Sequence, residues 1–160
     1  MALHRLVVDQ FYDDVYSLLA LHCTIEDYRI AYLLNQHLEI QLQRQDKDVD
    51  FEYTKASYAL YEWEDQKKQM TWNLVSNVCR REEESLVSSG ILFKDQEKIT
   101  RTFNLIPEYK SVNYFLKIHN DGNYINEKLI LDKLQKIPQI ATAYTIDSNE
   151  LKSKDNLIFN

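Results

Sequence analysis

The chain reads as an α+β protein: one mainly antiparallel sheet with two helices on one face. Three observations predict this. Residues 15–45 run strand, helix, strand. Residues 112–146 repeat that order, and two alternating runs between them read as a hairpin. Strand–helix–strand units with hairpin strands between them settle into a two-layer sandwich. The topology this order suggests is a ferredoxin-like core with an inserted hairpin. A chain of 160 residues fits one domain, 1–160, and can bury a real core without disulfides or metal.

VYSLLALHC, residues 15–23, is mostly apolar on both faces, as a buried strand is. Thr24 then offers an N-cap, with Asp27 three residues on. IEDYRIAYLLNQHL follows as a helix, with Ile30, Ala31, Leu34 and Leu38 on one face and Tyr28 and Tyr32 flanking it. EIQLQRQ, residues 39–45, alternates as a half-buried strand. ASYALYEW and MTWNLVSNV form antiparallel strands around the charged turn EDQKKQ. In the second run Met70, Trp72, Leu74 and Val78 share one face, and Thr71, Asn73 and Asn77 the other. Residues 80–102, opening RREEESLVSSG, have no clean period; a short helix and then a surface loop are expected there. Val112, Tyr114, Leu116 and Ile118 alternate along a strand, and HNDGN turns the chain. NEKLILDKLQKI makes the second helix, with Asn126 as N-cap, Ile130, Leu131, Leu134 and Ile137 inward, and Pro138 as its stop. IATAYTI returns as a strand whose Ala141 and Ala143 leave room for a close helix.

Composition narrows the function classes. Only two glycines are present, where average usage of about 7% would give roughly eleven. Gly90 and Gly122 are isolated, so neither a P-loop nor a dinucleotide fingerprint can form. A net charge of −6 disfavours nucleic acid and anionic membrane as partners. No apolar run is long enough to span a bilayer, and the N-terminal MALHRLVVDQFYDD turns acidic before a signal-peptide core develops; a cytoplasmic protein is expected. Cys23 and Cys79 read as small buried hydrophobes rather than a disulfide. The tail, residues 151–160, ends in Leu157, Ile158 and Phe159. It either docks on its own domain or adds to a partner's sheet edge.

The stretch NLIPEYKSVNYFLKI, residues 104–118, is the most distinctive. Pro107 suits the first position of a helical turn, and a carboxylate at Glu108 interacts well with the free amides there. Glu108 as a catalytic acid would need a titratable partner, and the neighbourhood offers only Lys110. His22 and Cys23 are adjacent, so on a strand they point to opposite faces. No CxxC, HxxxH or HExxH spacing occurs, and a zinc site would have to draw on distant residues such as His37 or His119. Cys79 has the basic neighbours Arg80 and Arg81, which can activate a thiol, but a buried cysteine explains it as well. Tyr58, Tyr61, Trp63, Trp72, Tyr114 and Phe115 could stack bases on an open sheet, yet Glu62, Glu64 and Asp65 stand where such platforms carry basic residues. No residue is therefore assigned a catalytic, cofactor-binding or metal-binding role, and no cofactor is expected.

IPEYKSVNY resembles the signature of the bacterial IPExxxVDY family of small proteins. Ile106, Pro107, Glu108, Val112 and Tyr114 fall at signature positions, and IEDYRIAYLLN, MTWNLVSN, IPQIATAY and LKSKDNLIF are segments of the same kind. The resemblance implies no activity, because that family is defined by its motif. Asn113 stands where the family pattern has Asp; an amide keeps the acceptor oxygen and loses the titratable proton, so a structural role for this position is expected. The leading functional expectation is a non-enzymatic protein-interaction or adaptor module, self-associating as a homodimer or binding another protein. Trp63, Trp72, Leu157, Ile158 and Phe159 are its candidate contact residues. The alternative is a small-molecule sensor domain of ferredoxin-like type. An enzyme would require Glu108, His22, His119 or Cys79 to meet in one cleft.

Overall fold

In the computed structural model, residues 15–84 and 98–159 are described. The elements are β1 (Tyr16–His22), α1 (Asp27–Leu38), β2 (Gln43–Arg44), β3 (Val49–Phe51), β4 (Ala56–Tyr58), β5 (Leu60–Asp65), β6 (Met70–Ser76), β7 (Val78–Glu84), β8 (Lys98–Asn104), β9 (Tyr114–His119), α2 (Glu127–Gln135) and β10 (Thr142–Ile146). A six-stranded sheet has the order β10-β1-β9-β6-β5-β2, with every neighbouring pair antiparallel. The β10-β1-β9-β6 portion, with α1 following β1 and α2 following β9, has the strand order of a ferredoxin-like core. Two features extend that core. β5 and β2 widen the sheet beyond β6, and a two-stranded ribbon of β7 and β8 lies in the connection between β6 and β9.

Both faces of the sheet are covered. On one, Leu19, Leu21, Leu74, Leu116 and Ile118 pack against Ile30 and Leu34 of α1 and against Leu134 and Ile137 at the end of α2. Both helices thus lie on this face, as their periodicity requires. On the other, Leu18, Ala20, Val75 and Phe115 meet Ala56, Tyr58, Leu105, Ile106, Val112, Leu151 and Leu157. Among the described residues no α-helix covers this second face; β4, the chain around residues 105–112 and the C-terminal tail do so. That double burial is why β1 is apolar throughout, with Leu18 to Leu21 at 1% exposure or less.

Several local expectations are corrected. Thr24 is exposed and does not cap α1; Glu26 is the N-cap, through its backbone carbonyl alone. The run ASYALYEW breaks at Ala59: β4 leaves to pair with β3, while β5 joins the main sheet. Val78 does not continue the face of Trp72 and Leu74, because the chain turns at Asn77 and starts β7. Residues 80–84 are strand rather than helix, and residues 98–102 are strand rather than loop; residues 85–97 lie outside the described residues. The periodic signal is missing in these two strands because they bury almost nothing beyond their root. Their regularity comes from cross-strand pairing, which leaves no hydrophobic alternation in the sequence. In α2, Asn126 Oδ1 accepts from the Leu129 N–H at 3.2 Å, as expected of its cap; Leu134 and Ile137 are buried while Ile130 and Leu131 are half-buried.

Candidate functional site

The residues of IPEYKSVNY converge on a side chain that strand alternation placed on the wrong face. Asn77 is fully buried, at 0% exposure. Its Nδ2 donates to the carbonyls of Tyr109 and Val112, both at 2.8 Å, and its Oδ1 accepts from the Ile106 N–H at 2.8 Å. Its own N–H donates to the Asn113 carbonyl at 2.9 Å, and its carbonyl accepts from the Leu105 N–H at 3.0 Å. The Val112 carbonyl and the Ile106 N–H would otherwise be buried against the sheet face without a partner, while the Tyr109 carbonyl also accepts from the Val112 N–H at 3.2 Å. Asparagine supplies the required two donors and one acceptor from a single amide. Pro107 opens a single helical turn, Pro107–Tyr109, and Ile106 and Val112 anchor its two ends in the core at 0% exposure.

Glu108 is exposed at the outer side of this turn and holds the C-terminal tail. Its Oε1 accepts from Ser153 Oγ at 2.6 Å and its Oε2 from the Ser153 N–H at 3.1 Å. Asn156 Nδ2 donates to the Leu105 carbonyl at 2.8 Å, and Lys117 Nζ donates to the Leu157 carbonyl at 2.9 Å. Leu157 sits at 0% exposure, Phe159 packs partly against the same cluster, and Ile158 is 62% exposed. The tail therefore docks on its own domain: Leu151 and Leu157 are buried, Phe159 is half-buried, and Ile158 is exposed. The Ser153 hydrogen bonds hold the Glu108 carboxyl below its ordinary range. Because the folded value is depressed, the latch contributes above the unfolded carboxylate value of about 4.3 and is lost as pH falls through the folded value. The Ser153 amide is expected to stay protected from exchange above the unfolded carboxylate value of about 4.3 and to lose protection as pH falls through the depressed folded value, while in Glu108→Gln its protection does not follow this titration; solution NMR reads both.

Asn113 ties the junction to β1. Its Oδ1 accepts from the Cys23 N–H at 2.9 Å and its N–H donates to the Leu21 carbonyl at 3.1 Å. Tyr114, at 8% exposure, donates its hydroxyl to the Ile25 carbonyl at 2.7 Å, and burial pushes its phenol up. An acceptor is all that Cys23 N–H requires, so Asn113→Asp is expected to change stability by less than about 1 kcal/mol, whereas Asn113→Ala costs about 1 kcal/mol more; urea midpoints measure both. The Cys23 thiol is buried and pushed up to about 11, which keeps it protonated and unreactive at neutral pH. His22 lies beside it with Nε2 3.0 Å from the Tyr144 hydroxyl. Cys79 packs at the root of the ribbon against the second core cluster. His37 Nδ1 contacts the Leu33 carbonyl at 2.9 Å on the surface of α1, and among the described residues no three His, Cys, Asp or Glu side chains group as metal ligands. Cys23, Thr24, Ser76, Val78, Arg80, Asn113 and Tyr114 line an open depression of about 470 Å³.

The aromatic side chains do not form one platform. Tyr61, Trp63, Trp72 and Tyr114 belong to the helix face, and Tyr58 and Phe115 to the other. Trp63 and Trp72 stand opposite each other on β5 and β6, and Trp72, at 7% exposure, is core rather than contact surface. The exposed aromatics lie elsewhere: Tyr28 at 60% and Tyr32 at 64% on the outer face of α1, and Tyr53 and Tyr124 outside the helices and strands.

The largest departure from the sheet is the ribbon. β7 and β8 pair in continuous register from Val78↔Asn104 to Glu84↔Lys98. Cys79 and Phe103 pack at its root, while Arg80, Arg81, Glu82 and Glu83 on one strand and Lys98 to Thr102 on the other are exposed. Lys98 Nζ lies 3.6 Å from Glu82, and Arg101 Nε 3.1 Å from Glu83. Arg81 stands directly opposite Arg101, and among the described residues neither Arg80 nor Arg81 has an ion pair. Neither Asn77 nor this ribbon was found from the sequence. Comparison of the chain with protein-family models, with curated proteins and with solved structures finds no match.

Proposed function

We propose that the protein is a cytoplasmic, non-enzymatic interaction module that self-associates, with the β7–β8 ribbon as its contact element. The observation that carries this reading is the ribbon itself, paired over seven residues on each strand yet exposed on both faces beyond its first pairs. An isolated two-stranded ribbon is marginal in water and gains stability when a partner covers it. The residues that chemistry would use support the same reading. Glu108 is engaged by Ser153, His22 by Tyr144, and the Cys23 thiol is buried. Under this proposal the chain is a member of the IPExxxVDY family, and its signature is a junction that joins sheet, ribbon root and tail. Light scattering on the full chain, and on a variant with residues 80–102 replaced by an Asn-Gly turn, tests it. A dimer that becomes a folded monomer, by circular dichroism, is expected. A monomer in both forms, or a dimer in both, overturns it.

A second reading, a small-molecule sensor domain, is favoured by the depression beside Asn113, where Arg80 and the Thr24 and Ser76 hydroxyls join the lining. It predicts a raised melting temperature with small carboxylates or phosphates. No shift across such a panel removes it.

A further inference from the structure

The exposed edge of β7 has a charge order that fits a second copy of itself. This inference rests on the self-association proposed above and names the surface. The strand reads Val78, Cys79, Arg80, Arg81, Glu82, Glu83, Glu84, basic near its root and acidic toward its far end. Two copies of one strand related by a two-fold axis run antiparallel, and the axis passes through a directly opposed pair of identical residues. With Glu82 at the axis, Arg81 of each copy faces Glu83 of the other, and Arg80 faces position 84, a glutamate. The two glutamates that meet at the axis are each accompanied by a Lys98 ammonium 3.6 Å away on their own ribbon. Shifting the axis to Arg81 sets arginine against arginine and keeps one complementary pair, Arg80 with Glu82, in place of two; shifting it to Glu83 adds position 82 against position 84, both glutamates, and opposes no arginine to an acid within the strand. One register is therefore preferred.

We infer that the protein dimerises by antiparallel pairing of β7 with β7 of a second copy, centred on Glu82, to build a four-stranded ribbon in the order β8-β7-β7-β8. Two further observations point to this edge. β8, reading Lys98, Ile99, Thr100, Arg101, Thr102, Phe103, Asn104, has two cations and no acid to receive them, so its edge repels its own copy. Within one ribbon Arg81 faces Arg101, and Glu83 of the same ribbon, 3.1 Å from Arg101, serves that arginine, so that among the described residues Arg81 has no ion pair of its own. Glu83 of the second copy supplies an acid opposite Arg81. An edge of a single charge sign repels its own copy; this one changes from basic to acidic along its length, the order that lets an antiparallel copy pair.

The test uses two charge-reversed full-length chains, one carrying Arg80→Glu and Arg81→Glu, the other Glu83→Arg and Glu84→Arg. Each alone is expected to lose dimerisation by about tenfold or more, and an equimolar mixture is expected to recover a heterodimer, because every reversed pair becomes complementary again. Sedimentation velocity reads all three samples, and the wild-type dimer is expected to weaken as salt is raised. Recovery in the mixture also separates a lost contact from a lost fold. If the wild type is dimeric and either variant alone dimerises as it does, the β7 pairing is wrong while self-association stands. A dimeric wild type whose variants fail to recover in the mixture overturns the pairing in the same way. A monomeric wild type overturns both.

Discussion

Asn77→Ala is expected to lower the unfolding free energy by about 3–5 kcal/mol, read as a fall in the urea midpoint with little change in slope. The substitution deletes three hydrogen bonds to a side chain at 0% exposure, leaves the Val112 carbonyl and the Ile106 N–H without partners, and leaves the Tyr109 carbonyl only its 3.2 Å bond from the Val112 N–H. Each orphaned group costs about 1–3 kcal/mol where water cannot reach it, and the vacated volume adds a cavity. Asn77→Asp separates the contributions. It keeps the acceptor for Ile106 N–H but sets a carboxylate against two carbonyls, so it should be no better tolerated than alanine. A loss of less than about 1 kcal/mol for both variants would mean that water replaces the amide and that the junction does not depend on it.

Leu157→Ala is expected to cost about 2–4 kcal/mol, and Ile158→Ala less than about 0.5 kcal/mol. The two leucine-sized side chains are neighbours in sequence, yet Leu157 is at 0% exposure in the second core cluster and Ile158 is at 62%. Truncating the first removes packing against the sheet face opposite the two helices; truncating the second removes a side chain from water. Chemical denaturation measures both. If the two variants were equally mild, the tail would lie loosely on the sheet and would be free to serve a partner, as the alternative reading of its sequence had it.

What the sequence made legible was whatever periodicity encodes. The face of α1, with Ile30, Ala31, Leu34 and Leu38 buried, follows from burial on one side, and the Asn126 cap is a local hydrogen bond. Tyr114, Leu116 and Ile118 of β9 share the helix face as read, but Phe115 is buried on the other face and Val112, read into the same alternation, lies before the strand in the second cluster. Contacts between distant segments left no such trace. Glu108 and Ser153 are 45 positions apart, and nothing local marks either as the other's partner. Asn77 was placed on a polar face because alternation was extended past Ser76, where the strand ends and the chain turns inward. Trp72 was offered as a contact residue because alternation says which side chains share a face but not which face the helices cover. The ribbon was missed for a related reason: strands exposed on both sides have no apolar rhythm, and RREEE read equally well as the start of a helix. The motif-bearing turn itself, Pro107 to Val112, was legible as a junction and unreadable as a clamp, since its partner lies in another strand.

Amide hydrogen exchange on the full chain at two protein concentrations tests the central claim most directly, that the ribbon is the surface through which this module makes contact. If the claim holds, the outward-facing amides of β7, residues 80–84, slow as concentration rises, while those of α1 and the six-stranded sheet stay constant. Exchange in β7 that is fast and independent of concentration, in a protein whose core is fully protected, would contradict it.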